Sequence, residues 1–98
     1  MTLSAISHYR GGALNEVAPL AQTLKAIYFK YGVVYRLSRF QTGPNEGDWL
    51  AFVTYADATA YEKAQALFSQ DPELQQVFSE IAKLAKRISR AMVIDLDL

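Results

Sequence analysis

The side chains able to do chemistry here are few, and the first is the single histidine, His8. An imidazole that gains and loses a proton near neutral pH suits a general base. A lone one suits equally well the part of a half-buried group satisfied by a neighbour. It cannot build a multi-histidine metal site, since no HxxxH or HxxE spacing occurs. The absence of cysteine removes thiolate zinc sites, a disulfide framework and a cysteine nucleophile together. Arg36 is the second candidate: a guanidinium over a cavity grips a carboxylate or enolate in a fixed fork, whereas one at a strand edge meets solvent or a subunit partner. Trp49 and Phe52, with Tyr55, are candidate walls for a small apolar or aromatic ligand, although aromatic side chains on a central strand also build cores. No nucleophile elbow, phosphate-cradling loop or dinucleotide fingerprint is present, so neither a metal nor a cofactor is implied.

These groups must be positioned by a chain of 98 residues, long enough for one core, so the expectation is a single domain over 1–98. Half the residues are hydrophobic, and 10 Lys and Arg balance 10 Asp and Glu. That balance argues against nucleic acid as a partner. No uncharged apolar run approaches the roughly 20 residues that span a bilayer, and the opening residues have no basic segment leading into an apolar one. The expected setting is the cytoplasm, with no membrane partner.

Leu3 to Tyr9 is β-tolerant and bounded by Gly11-Gly12, which predicts a first strand carrying His8. Leu20, Ala21, Leu24, Ile27, Tyr28 and Tyr31 recur at helical spacing, and Gly32 supplies a stop. Asn15 is a candidate cap, with Pro19 pushing the expected start toward Ala18. Val33 to Phe40 and Trp49 to Tyr55 read as strands around the turn-rich TGPNEGD, and so as an antiparallel hairpin. Asp57 caps a helix from Ala58, and Asp71-Pro72 restarts it. The stripe Leu74, Val77, Phe78, Ile81, Leu84, Ala85 and Ile88 predicts a helix whose last turns carry Lys83, Lys86, Arg87 and Arg90. Met92 to Leu98 alternates with period two as a final strand, with Asp95 and Asp97 turned from its apolar side.

The resulting order is that of a ferredoxin-like α+β fold: βαββαβ, a four-stranded antiparallel sheet with both helices on one face. On the third strand Trp49, Ala51, Val53 and Tyr55 oppose Leu50, Phe52 and Thr54, so either choice of inner face leaves large apolar groups on the outer one. Something should cover them. Trp49 to Tyr55 partly matches the octamer of RNA-recognition domains, but Asp48 stands where that motif wants a cation, Trp49 where it wants glycine and Leu50 where it wants a stacking aromatic. A second copy of the sheet is the better cover.

In its strand order, its passage Phe52-Val53-Thr54-Tyr55-Ala56-Asp57 and its helix restart Ser69-Gln70-Asp71-Pro72-Glu73-Leu74, the chain resembles the dimeric α/β-barrel superfamily. That superfamily includes NIPSNAP-like and antibiotic-biosynthesis-monooxygenase-like proteins. The resemblance implies two sheets paired face to face as a barrel, with a ligand cavity inside it or between sheet and helices. The expected function is that of a homodimeric small-molecule-binding protein, paired through its open sheet face. The alternative is a cofactor-free monooxygenase or isomerase acting on a small aromatic or polyketide-like substrate, with His8 as base and Arg36 stabilising developing negative charge. The asparagine, tryptophan and histidine that haem-degrading and quinol-forming members gather around one cavity do not map here, because Asn15 and Asn45 read as cap and loop.

Overall fold

The computed structural model describes all 98 residues, Met1–Leu98. In chain order the elements are β1 (Leu3–Arg10), α1 (Leu14–Lys30), β2 (Val34–Arg39), β3 (Trp49–Tyr55), α2 (Ala58–Phe68), α3 (Pro72–Leu84) and β4 (Lys86–Ile94). The strands form one antiparallel sheet in the order β2-β3-β1-β4, so β1 and His8 are central, as the ferredoxin-like topology requires.

The acidic caps sit where the sequence puts them. Asp57 accepts the Ala60 N–H at 2.8 Å, and Asp71 accepts the Leu74 N–H at 3.0 Å with Pro72 opening α3. The start of α1 differs. Its cap is Ala13, with Leu14 the first helical residue, and the Ala13 N–H donates to Glu16 Oε1 at 3.2 Å. Pro19 therefore lies inside the helix. The bond it cannot donate would have gone to the carbonyl of Asn15, an exposed residue, so a proline near this end is tolerable.

Helix-facing and open positions alternate along the strands. Ala5, Tyr35, Ala51 and Tyr55 join Leu24, Ile27 and Tyr28 of α1, Ala64 and Phe68 of α2, and Leu74 and Val77 of α3 in one core. Phe68 is its hub, meeting Tyr28 and Tyr31 edge to face at 5.1 and 5.3 Å between ring centres.

The last third of the chain corrects the sequence reading. The apolar stripe predicts helix through Ile88, but α3 ends at Leu84 and the strand begins at Lys86, six residues before the expected Met92. Lys86, Arg87 and Arg90 are thus strand residues, and Lys83 alone stays in the last helical turn. The reason is tertiary: β1 needs a partner for its whole length, and its register runs from Leu3 opposite Ile94 to Arg10 opposite Lys86. The β1–α1 turn packs closely on the end of α3, where a Cβ on Gly11 would stand 3.0 Å from the Leu84 carbonyl oxygen. Asp95 to Leu98 lie beyond the strand, where the Asp95 N–H bonds the Thr2 carbonyl at 3.0 Å and its carboxylate accepts from the Thr2 hydroxyl.

Candidate functional site

Small residues stand side by side on the helix-facing side of the two central strands: Ser7 lies opposite Ala51, and Ala5 opposite Val53. Large side chains there would fill the gap under the helices, and these do not. The result is a cavity of about 700 Å³ between sheet and helices, within the roughly 300–1,000 Å³ of small-molecule sites. Tyr9, Tyr28, Tyr35, Tyr55 and Tyr61 supply much of its wall, with Phe78 and Ile81 of α3 closing one side.

Burial raises the hydroxyls of three of these tyrosines, Tyr28, Tyr35 and Tyr55. The Tyr35 hydroxyl is pushed up to about 12 by loss of solvent, and Tyr28 is raised further by burial and by the neighbouring Tyr55 and Tyr35. Tyr55 is raised by burial as well, while accepting a bond from Gln65 Nε2 at 3.2 Å. No aspartate or glutamate lines the cavity; its charged side chains are Arg87 and Arg90 of β4, both exposed at its mouth. Arg90 Nη2 lies 3.5 Å from the Tyr61 hydroxyl oxygen.

Of the residues singled out from the sequence, Trp49 belongs to this cavity. It is buried, donates Nε1–H to the Gly11 carbonyl at 3.0 Å, and carries the Arg39 guanidinium 4.7 Å above its ring. His8, Arg36 and Phe52 are brought together on the opposite, open face. There Ile6 lies between its register partners Phe52 and Ala91, and Arg36 sits beside Phe52 with its guanidinium 4.2 Å from the ring centre. Neither His8 nor Arg36 reaches the sheet–helix cavity.

His8 has a partner the sequence did not reveal. Its Nε2 lies 2.7 Å from Asp48 Oδ2, and Arg10 donates to the same carboxylate from Nη2 at 3.0 Å and Nε at 3.2 Å. The Arg10 hydrogen bonds first, and the His8 contact second, hold the Asp48 carboxyl below its ordinary range. Phe40 flanks the histidine, ring centres 5.4 Å apart. No cluster of three metal-ligating side chains occurs.

Sequence reasoning missed Arg87 and Arg90 as cavity residues because it placed them on a helix. No local signal marked them: the strands read as Leu3 to Tyr9 and Met92 to Leu98 are equally long, so nothing in their lengths called for a last strand that begins earlier. Ser7 and the tyrosines of α1 and α2 carried no mark either.

The fold recurs in solved structures. The chain superposes on a mutant of SnoaB, a cofactor-independent oxygenase from Streptomyces nogalater, with TM-score 0.76 at 15% identity, over 99% of this chain and 95% of that one. It superposes on Rv0793 from Mycobacterium tuberculosis with TM-score 0.70 at 14% identity, over 100% and 98% of the two chains. A Bacteroides thetaiotaomicron protein of unknown function, described as a possible oxidoreductase, matches with TM-score 0.67 at 17% identity, over 94% and 95%. No family model matches the sequence, and no curated protein does. At these identities the likeness establishes the fold.

Proposed function

We propose that this chain is a small-molecule-binding protein of the dimeric α/β-barrel type, which holds an apolar or aromatic ligand between sheet and helices and pairs with a second copy through its open sheet face. The observation that carries the reading is the cavity: an aromatic-walled hollow of about 700 Å³ made by small residues on the central strands, within an otherwise close-packed core. The likeness to SnoaB supports grouping the chain with monooxygenase-like rather than NIPSNAP-like members. Trp49 and the tyrosines are the ligand's contacts. Ile6, Arg36, Leu50 and Phe52 belong to the pairing surface, and the His8–Asp48–Arg10 cluster brings its charges already paired to one end of it.

Titration with naphthalenemethanol, read by Trp49 fluorescence, tests the cavity. Saturable binding that Ala51→Phe abolishes is the expected result, because the new ring occupies the hollow without touching the open face. Binding unchanged in that variant, or absent from the parent protein, would refute the reading.

A further inference from the structure

We propose that the cavity selects an anion: an aromatic-sized apolar body bearing one carboxylate, which Arg87 and Arg90 hold together at the β4 side. The proposal rests on the cavity reading above and adds the ligand's charge and its direction of entry.

Backbone register carries the argument. Residues three apart on a regular strand face opposite sides of the sheet, so Arg87 and Arg90 would ordinarily point away from each other. Between them β4 has a bulge: His8 pairs with Ser89 and Tyr9 with Arg87, leaving Ile88 without a partner on β1. The extra residue resets the alternation. Arg90 then lies opposite Ser7 and Arg87 opposite Tyr9, both helix-facing positions that line the cavity. Bulges of this kind re-aim side chains. The two positions are successive on one face, about 7 Å apart along the strand, within the reach of two guanidiniums converging on one carboxylate.

No carboxylate in the chain pairs with these cations. The ion pairs present are His8–Asp48, Arg10–Asp48 and Lys30–Glu73, none of them involving Arg87 or Arg90. The cavity has no acidic side chain, and its buried tyrosines stay neutral, so its charge is positive without internal compensation. Both guanidiniums are exposed at the cavity mouth and so stay charged without a desolvation cost, reaching a carboxylate whose apolar body lies deeper. The Tyr61 hydroxyl, 3.5 Å from Arg90 Nη2, and the Ser7 side chain opposite Arg90 add neutral donors beside the same spot. Such a ligand enters with its apolar body against the tyrosines and Trp49 and leaves its carboxylate at the arginine edge. A neutral hydrocarbon would leave both cations unanswered.

The test compares naphthoate with naphthalenemethanol, nearly the same shape with and without the charge, by calorimetric titration of the parent protein, Arg90→Met and the double variant Arg87→Met with Arg90→Met. Methionine keeps an apolar stem, and naphthalenemethanol binding reports whether each variant retains its cavity. Naphthoate should bind the parent protein at least about tenfold more tightly than the alcohol, as a charge-assisted pair warrants. Arg90→Met should remove most of that preference and the double variant all of it, with the alcohol's affinity unchanged throughout. Equal affinities in the parent protein, or a preference surviving in the double variant, would overturn the anion assignment and leave the cavity reading standing. Failure of both compounds to bind the parent protein would overturn the two together.

Discussion

Replacing Phe52 with aspartate separates the packing of one chain from the pairing of two. Phe52 is half-buried on the open face and stands outside the core that joins sheet to helices, touched chiefly by Arg36 and the strands beside it. Within one chain the substitution forfeits a cation–π contact and some partial burial, while the Arg36 guanidinium 4.2 Å from the lost ring can neutralise the new carboxylate. The folded chain should therefore lose only about 1 kcal/mol. Between two chains the account changes, because a two-fold interface counts every residue twice. Fully covering a phenylalanine is worth roughly 1.5–3 kcal/mol. Much of Phe52 is already covered within one chain, so the pair forfeits roughly 1–2 kcal/mol of apolar burial, to which the two carboxylates taken into the interface add roughly 2–4 kcal/mol. That weakens dimerisation by roughly a hundredfold to ten-thousandfold. Sedimentation velocity across the micromolar range, with thermal unfolding followed by circular dichroism, separates the two effects. The expected result is a native-like monomer where the parent protein is a dimer. A variant that dimerises as tightly as the parent protein would refute the face as the interface, and one that does not fold would refute the division between core and face.

Leu74, with no exposed surface, is the point where α3 locks onto the rest of the core. Leu74→Ala should cost about 3–4 kcal/mol by urea denaturation, and a loss below about 1 kcal/mol would mean that the core closes without it. Acid should destabilise the fold through Asp48 and Asp71. Arg10 and His8 lower the first carboxyl, while the Tyr31 hydroxyl and the Leu74 N–H lower the second. Carboxyls depressed in the folded state contribute stability in full above the unfolded value of about 3.9, and lose it as pH falls through their folded values. Unfolding free energy measured from neutral pH down to about pH 2 should fall in that window, less steeply in Asp48→Asn. An identical slope in that variant would remove Asp48 from the account.

Much of this architecture was legible because its signals are local. The caps Asp57 and Asp71, the proline opening α3, the glycines closing β1 and the alternating aromatic run of β3 each act within a few residues, through hydrogen bonds and dihedral preferences that neighbours do not override. Sequence alone therefore determined the strand and helix order, the antiparallel sheet and the presence of large apolar side chains on its outer face. Where α3 yields to β4 was illegible, because Ala85 to Ala91 suits either state and the choice is made by pairing with a strand some 80 residues away. Tertiary structure also chose between the two faces of β3, sending Trp49 into the core and Phe52 out of it, and with them His8 to Asp48 on the side away from the cavity. The site follows from the same long-range choices. Small residues become a hollow only when the register sets Ser7 beside Ala51, and two arginines three apart share one side only because Ile88 is left unpaired between them. Period and propensity specify which way residues alternate; contact between distant strands decides which side is inside.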